Sequence, residues 1–257
     1  MKVACIQMDV RFCQVEENFR RAETLIREAM KDAPDVIILP EMWNTGFFPE
    51  EVNDPWGERV ISKIGALAKE YAVNIVAGSV AEKRNGNVYN TAYVFDRSGT
   101  PIATYDKTHL FSPMGEDQRF TPGDALCRFT LDGVPCGLII CYDLRFPELS
   151  RSLALEGIDA LLVVSQWPLE RLFHLQTLCR ARAIENQVYL ACCNGCGNAG
   201  TTKFGGGSMI LDPLGNTLTE AGENETIITA NWDLSQLRDL RNSFNVFADR
   251  RPDLYRQ

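Results

Sequence analysis

The feature that most constrains the fold of this chain is an alternation of apolar runs and amphipathic helical patterns that occurs twice. In the first half, apolar runs cover residues 3–8, 35–40 and 74–80. Between them, apolar residues recur at helical spacing over 15–29 and 60–71. Short apolar runs are typical of buried strands, and spacings of three and four indicate helices. This order predicts adjacent parallel strands covered by crossover helices.

The second half repeats the plan. Apolar runs cover 137–143, 159–165 and 187–193, and helical patterns cover 147–156 and 169–184. The last helix is outlined by apolar and long side chains: Leu169, Leu172, Phe173, Gln176, Ala181 and Ile184. Repetition of one strand–helix order predicts two sheets of similar design.

Hairpin signals extend both sheets with antiparallel strands. Residues 88–96 and 101–106 flank the turn Arg97–Gly99, and 206–212 and 216–220 flank Asp212–Gly215. No linker rich in Pro, Gly or Ser separates the halves, so we expect a single domain over 1–257. The predicted fold is an α/β, four-layer α-β-β-α sandwich with two mixed sheets packed face to face. A plain dinucleotide-binding fold is less consistent, because no GxGxxG follows the first strand.

Composition limits the partners and the compartment. The 257 residues are 45% hydrophobic and carry a formal net charge of -8, which argues against nucleic acid or an anionic membrane surface as a partner. No apolar run reaches the roughly 18 residues of a membrane span, and the N-terminus lacks a signal-peptide core. Nine cysteines, an odd number, indicate free thiols in a reducing compartment. We therefore expect a cytoplasmic protein.

A metal site is an alternative use of the cysteines Cys192, Cys193 and Cys196. Structural zinc usually takes four ligands from two paired elements, and the only histidines are His109 and His174. The pattern therefore favours free thiols over a metal site.

Two reactive residues follow apolar strands directly. Glu41 ends one run and Cys141 ends another, and parallel strands present their ligands at their carboxyl ends. A nucleophilic cysteine needs a base, and Glu41 could serve. The alternatives are a buried structural thiol and a papain-like pair with His109 or His174, although neither histidine directly follows an apolar strand. Lys107 follows the first hairpin, and its residue type alone is typical of a solvated surface charge.

Three segments carry a resemblance to a known family. They are PEMWNTGF around Glu41, YDKTHLF around Lys107 and GLIICYDLRFPELSR around Cys141. In this order they resemble the signature segments of the nitrilase superfamily of carbon-nitrogen hydrolases. Family-like segments elsewhere, such as RARAIENQVYLACCN, extend the resemblance over nearly the whole chain. Within the superfamily, the chain most resembles the ω-amidase branch.

The resemblance implies roles for four residues. Glu41 would be the general base, Lys107 the cation that stabilises the oxyanion, and Cys141 the nucleophile that forms a thioester. Glu116 sits where the superfamily often has a second glutamate that bonds the lysine, while its residue type alone also fits a solvated loop carboxylate. The resemblance implies neither a metal nor an organic cofactor, so we expect none. The backbone N–H of Tyr142 would be a further oxyanion donor.

The implied substrate is a linear terminal amide of a small dicarboxylic acid, of the 2-oxoglutaramate or 2-oxosuccinamate type. Arg145 could bind its carboxylate, or could instead hold its own loop through Asp143 or Glu148. Three aromatic residues could form the pocket wall or belong to the core: Phe111, Trp167 and Phe204.

Two alternatives stay open at this point. The same residues would serve an N-carbamoyl amino acid amidohydrolase or a nitrilase, and a non-catalytic metabolite-binding protein could keep the fold. The resemblance also implies a homodimer, with helices at 146–155 and 169–184 as its contacts, where exposed apolar residues would be the sign.

Overall fold

Two six-stranded sheets form the framework of this computed structural model, which describes residues 1–47 and 56–255. The strands are β1 (Lys2–Gln7), β2 (Val36–Ile38), β3 (Asn74–Arg84), β4 (Asn87–Phe95), β5 (Pro101–Asp106), β6 (Arg128–Leu131), β7 (Val134–Ile140), β8 (Ala160–Ser165), β9 (Tyr189–Asn194), β10 (Cys196–Ala199), β11 (Thr202–Gly205), β12 (Met209–Leu211), β13 (Thr217–Glu220) and β14 (Thr226–Asn231). The α-helices are α1 (Val15–Ala29), α2 (Trp56–Tyr71), α3 (Pro147–Leu155), α4 (Leu172–Asn186) and α5 (Leu234–Ser243).

The two sheets share one topology. Their strand orders are β14-β1-β2-β3-β4-β5 and β13-β12-β9-β8-β7-β6. In each sheet three central strands run parallel, β1 to β3 and β7 to β9, and the flanking pairs are antiparallel. Strands β10 and β11 form a separate two-stranded ribbon. The prediction of two mixed sheets with a repeated plan is confirmed.

Side chains along β1 and β2 point alternately towards the helices and towards the second sheet, which explains the layered fold. Ile6 and Ile37 pack in a core cluster with residues of α1 and α2, whereas Cys5 and Ile38 belong to a cluster shared with the second sheet. Successive side chains of a strand point to opposite faces, so both faces of these central strands are buried. Residues of α3 and α4 join the second cluster. The arrangement is the predicted α-β-β-α sandwich.

Helix α4 exposes two of the apolar residues that outline it in the sequence. The helix exists, but Phe173 is 75% exposed and Ile184 is 52% exposed. The core instead receives Leu175, Cys179 and Ala183, whose spacing of four places them on one face of the helix. The helix therefore carries apolar side chains on more than one side.

Both predicted hairpins are confirmed. Strands β4 and β5 pair antiparallel, as do β12 and β13. The side chains of Asp96 and Asp212 accept backbone N–H groups of their own turns, which stabilises the reversal. Within the described ranges, no helix is both long and apolar enough to cross a membrane.

Candidate active site

Cys141 lies at the carboxyl end of β7 and begins a 3-10 turn, Cys141–Arg145. Its φ of +47° is in the left-handed region, which costs a non-glycine residue about 1–2 kcal/mol. The turn is fixed by Asp143, whose Oδ2 accepts a 3.0 Å hydrogen bond from the backbone N–H of Ile140. The chain therefore leaves the strand abruptly, and Cys141 lines a pocket at the strand end.

Glu41 lies just beyond β2 and is held by donors on three other segments. Its Oε1 accepts hydrogen bonds from Asn90 Nδ2 at 2.8 Å and from Lys107 Nζ at 2.9 Å. Its Oε2 accepts a 3.0 Å hydrogen bond from the backbone N–H of Gln166, which follows β8. Glu41 is fully buried. Both of its oxygens are thus held in a single orientation at the junction of the two sheets.

Lys107 and Glu116 complete a buried cluster with Glu41. Lys107 Nζ donates to both oxygens of Glu116, at 2.8 and 3.1 Å, and all three side chains are inaccessible to solvent. Glu116 also accepts hydrogen bonds from the backbone N–H of Phe111 at 2.6 Å and from Asn90 at 3.1 Å. The alternative of a solvated loop carboxylate is therefore wrong for Glu116, and the surface alternative is wrong for Lys107.

The charges in this cluster set its protonation. Burial raises the pKa of Glu41 above its ordinary value of 4.5; the Lys107 cation opposes this rise and the Glu116 carboxylate adds to it. Burial acts to lower the pKa of Lys107, but Glu41 and Glu116 outweigh it and raise that pKa. Lys107 is consequently a cation at neutral pH, and Glu41 is a stronger base than an ordinary glutamate.

The thiol of Cys141 is protonated at rest. Burial raises its pKa and the negative charge of Glu41 raises it further, whereas Lys107 lowers it. The Ser165 hydroxyl and the Gln166 backbone N–H also stabilise the thiolate. A thiol of this kind becomes a nucleophile when a base takes its proton, and Glu41 is the buried carboxylate whose charge acts on it. Base, cation and thiol are the groups that acyl transfer requires.

Asp143 connects the turn of Cys141 to the segment that carries Lys107. Its Oδ2 accepts a 2.7 Å hydrogen bond from the hydroxyl of Tyr105, and its Oδ1 accepts one of 2.9 Å from the backbone N–H of His109. The same Oδ1 contacts Thr108 and the His109 ring. Because Asp143 is fully buried, these contacts fix the two segments relative to each other.

A pocket opens beside Cys141. Five aromatic and two cationic residues line it together with four others: Phe47, Phe111, Tyr142, Trp167, Phe204, Arg145, Arg171, Met114, Gln166, Pro168 and Thr202. The structure thus gathers around Cys141 all the side chains predicted for substrate binding. The roles assigned to them remain predictions.

Arg145 does not hold its loop through a carboxylate. Its Nη2 lies 3.2 Å from His174 Nδ1, and its guanidinium carbon lies 4.8 Å from the ring centre of Trp167. Across the part of the chain that the structure describes, Arg145 forms no ion pair, either with Asp143 or with Glu148. The loop-holding alternative with these partners is wrong, and the charge of Arg145 is available at the pocket.

The histidines and the other cysteines have separate environments. His109 stacks on Phe146 at 3.8 Å and contacts Asp143, and His174 contacts Arg145. All nine cysteines are free thiols. Cys193 Sγ contacts the carbonyl oxygens of Ile6 and Ile38 in the other sheet, at 3.1 and 3.2 Å. Among residues 1–47 and 56–255, no cluster of His, Cys, Asp and Glu is placed to hold a metal.

Sequence reasoning missed three residues that organise this site. Asn90 bonds both carboxylates, Gln166 bonds Glu41 through its backbone, and Asp143 joins two segments. Asp143 lies two residues after Cys141 and could have been found as a buried carboxylate inside an apolar segment. Asn90 lies within β4, and nothing in its local sequence indicates the site.

Comparisons with known proteins agree with this geometry. Residues 2–242 match the family model described as carbon-nitrogen hydrolase. The 2-oxoglutaramate amidase of Bacillus subtilis (strain 168) is 42% identical over 256 residues, covering 98% of each chain. The omega-amidase NIT2 of Homo sapiens is 33% identical over 267 residues, covering 99% of this chain and 96% of that protein.

A solved structure extends the likeness to the fold. XC1258 from Xanthomonas campestris, described as a CN-hydrolase superfamily protein with an arsenic adduct in the active site, matches with a TM-score of 0.90 at 28% identity. The match covers 98% of this chain and 97% of that one. The resemblance to the nitrilase superfamily and its ω-amidase branch is confirmed. With its family match, its repeated sheets and its buried Glu41, Lys107 and Cys141, this chain belongs to the carbon-nitrogen hydrolase family, the enzymes of the nitrilase superfamily.

Proposed function

We propose that this protein hydrolyses the terminal amide of a small dicarboxylic acid, of the 2-oxoglutaramate or 2-oxosuccinamate type, to the acid and ammonia. The observation that carries the proposal is the solvent-inaccessible contact of Lys107 with Glu41 and Glu116 beside the Cys141 pocket. Similarity to a protein named 2-oxoglutaramate amidase over 98% of the chain supports the substrate class.

The first half-reaction forms a thioester. Glu41 takes the proton of the Cys141 thiol as the sulfur attacks the amide carbonyl carbon, and the carbonyl π electrons move onto oxygen. Lys107 and the backbone N–H of Tyr142 stabilise that oxyanion. When the carbon–nitrogen bond breaks, the leaving nitrogen takes the proton from Glu41 and departs as ammonia.

The second half-reaction releases the acid. Glu41, again a carboxylate, takes a proton from a water molecule that attacks the thioester carbonyl. The second tetrahedral intermediate collapses, the carbon–sulfur bond breaks, and the proton held by Glu41 returns to Cys141. Glu116 keeps Lys107 in place through two hydrogen bonds in both halves. The cycle needs only residues of this chain and water.

Substrate orientation follows from the pocket walls. With the amide carbon at Cys141, the distant carboxylate would meet Arg145, a cation without a carboxylate partner within the described ranges. Phe111 and Trp167 enclose the acyl chain between them. This arrangement favours short, linear amides that carry one negative charge.

The test is the initial rate of ammonia release from four substrates: 2-oxoglutaramate, succinamate, an N-carbamoyl amino acid and an aliphatic nitrile. We expect the largest kcat/KM for the first two. A preference for the carbamoyl compound or the nitrile would contradict the substrate class. Release from none of them, with tight binding of 2-oxoglutaramate, would favour a non-catalytic metabolite-binding protein.

The assembly that we propose is a homodimer of single-domain chains, with the carbon-nitrogen hydrolase domain covering 1–257. Helices α3 and α4 expose Leu155, Phe173 and Ile184, which a second copy of this chain would cover. Nine free thiols support a reducing, cytoplasmic location, and the net charge of -8 argues against nucleic acid partners. Light scattering after gel filtration should give twice the monomer mass of 28.8 kDa.

A further inference from the structure

The pocket beside Cys141 carries two guanidinium groups, those of Arg145 and Arg171. No carboxylate stands among the described residues that line it. Two cations without an anion at the same pocket create a site that favours negatively charged ligands. The mechanism proposed above gives neither arginine a part in bond breaking, so their charge is available for binding.

Arg171 is held in position by its backbone and by an aromatic ring. Its carbonyl oxygen accepts a 2.8 Å hydrogen bond from Trp167 Nε1, and its guanidinium carbon lies 5.3 Å from the ring centre of Phe111. The nearest carboxylate is that of Glu170 at 3.2 Å, but this side chain is 71% exposed. An ion pair so open to water contributes little, so Glu170 does not neutralise Arg171 towards the pocket.

Arg171 also stands at the boundary between two cavities. It borders the Cys141 pocket and a second, outer hollow, together with Met114, Pro168 and Thr202. Cys141 and Arg145 border only the inner pocket. Arg171 therefore lies on the side of the Cys141 pocket that adjoins the outer hollow.

We propose that Arg171 is a specificity-determining residue that binds the substrate carboxylate together with Arg145. This inference rests on the proposed function. The Arg145 guanidinium already has other contacts: Nη2 lies near His174 Nδ1, and the group stacks over the Trp167 ring. Arg171 supplies a second set of donors, and a planar guanidinium matches the two oxygens of a carboxylate.

The experiment compares two amides of equal chain length, succinamate with a carboxylate and butyramide without one. In Arg171→Met we expect kcat/KM for succinamate to fall by about 10- to 100-fold, mainly through KM, because a charged hydrogen bond is lost. The value for butyramide should change less than about threefold, because uncharged substrates do not use this interaction. Arg171→Lys should recover part of the loss, because lysine keeps the positive charge but lacks the planar guanidinium that binds both carboxylate oxygens.

The matched control is Lys203→Met. Lys203 borders only the outer hollow and pairs with Glu223 on the surface. Its replacement should leave both substrates unchanged. Equal losses for succinamate and butyramide in Arg171→Met would show that Arg171 only supports the structure, and no loss for either would show that it does not touch substrate. Each of these results overturns the inference.

A binding measurement keeps this test separate from turnover. Calorimetry on Cys141→Ala should show that succinamate binds more tightly than butyramide, and that adding Arg171→Met removes the difference. If the parent protein released no ammonia from any amide while this binding difference persisted, the proposed function would fail and the carboxylate site would stand. Equal binding of the two amides would overturn the carboxylate site.

Discussion

The backbone N–H of Gln166 donates a 3.0 Å hydrogen bond to Oε2 of Glu41 and so joins the ends of β8 and β2 across the two sheets. A second contact accompanies it, because the N–H of Glu41 lies 3.4 Å from the carbonyl oxygen of Ser165. With Oε2 held in this way, Oε1 faces Lys107 and Asn90. The sandwich itself therefore orients the base.

The first prediction concerns the acid side of the pH–activity profile. Glu41 acts as a carboxylate, so kcat/KM should fall as pH drops through its pKa, which burial raises above 4.5. Because the negative charge of Glu116 also raises this pKa, Glu116→Gln should move the acid limb to lower pH while lowering the maximal rate. Initial rates measured between pH 4 and pH 9, about the range of the relevant groups, check both statements.

The control for the profile is Glu223→Gln, which removes a carboxylate that is paired with Lys203 on the surface. Its acid limb should match that of the parent. An unchanged limb in Glu116→Gln would mean that Glu41 does not control the acid side.

The second prediction concerns Lys107 and stability. Lys107→Met leaves Glu41 and Glu116 buried without their cation, which should cost about 3–5 kcal/mol at neutral pH. Removing Lys107 raises the pKa of Glu41 in the folded state even further, so the loss is largest above that pKa. The loss shrinks as pH falls from that raised pKa towards the unfolded value near 4.5, below which Glu41 is protonated in both states.

Urea denaturation at two pH values, about 4 and about 7.5, measures this pH dependence. Lys203→Met, which breaks an exposed pair, should cost less than about 1 kcal/mol at both pH values. A loss for Lys107→Met that is the same at both pH values would contradict the electrostatic explanation.

The sequence predicted the framework of this site but not its connections. Strand and helix alternation predicted the sandwich, and the strand-end rule predicted that Glu41 and Cys141 would meet, because both follow from local hydrophobic pattern. Lys107 and Glu116 emerged only from the resemblance, since a charged residue in a loop is indistinguishable from a solvated one until its partners are known. Those partners are distant, as Asn90 and Glu41 are 49 residues apart.

The buried face of α4 also depends on a distant partner. The helix buries polar side chains, among them Arg182, whose guanidinium donates to the carbonyl oxygen of Leu144 at 2.8 and 3.1 Å. A pattern that assumes apolar residues inside cannot identify a face that carries a buried arginine. The residue is buried because the turn after Cys141 offers it an acceptor.

The third prediction tests the connection made by Asp143. Asp143→Ala removes the acceptor for Tyr105, His109 and Ile140, and should destabilise the protein by about 2–4 kcal/mol. The rate should fall as well, because the segment of Lys107 loses its link to the turn of Cys141. Tyr105→Phe removes one donor and should cost about 1 kcal/mol with most of the rate retained. Equal effects of the two variants would show that Asp143 does not integrate these contacts.

The fourth prediction concerns Gly78, which packs closely against Pro40, the residue before Glu41. Its φ is +59°, and a Cβ built there would lie only 2.0 Å from the carbonyl oxygen of Pro40. Gly78→Ala should therefore cost several kcal/mol, well above the roughly 1–2 kcal/mol of a left-handed alanine alone. Gly86→Ala measures the cost of a left-handed alanine alone, because Gly86 has a φ of +83° and open space around it. Thermal unfolding of both variants gives the comparison, and equal shifts would refute a steric role for Pro40.

The most direct test of the account is ammonia release from 2-oxoglutaramate by the parent protein, by Cys141→Ala and by Cys127→Ala. Cys127 is a buried thiol near the start of β6, which makes it a matched control. We expect Cys141→Ala to lose at least about 1,000-fold in kcat, because no nucleophile remains to form the thioester, and Cys127→Ala to stay near the parent rate. Ammonia release that survives in folded Cys141→Ala at a rate near that of the parent would contradict the assignment of Cys141 as the nucleophile.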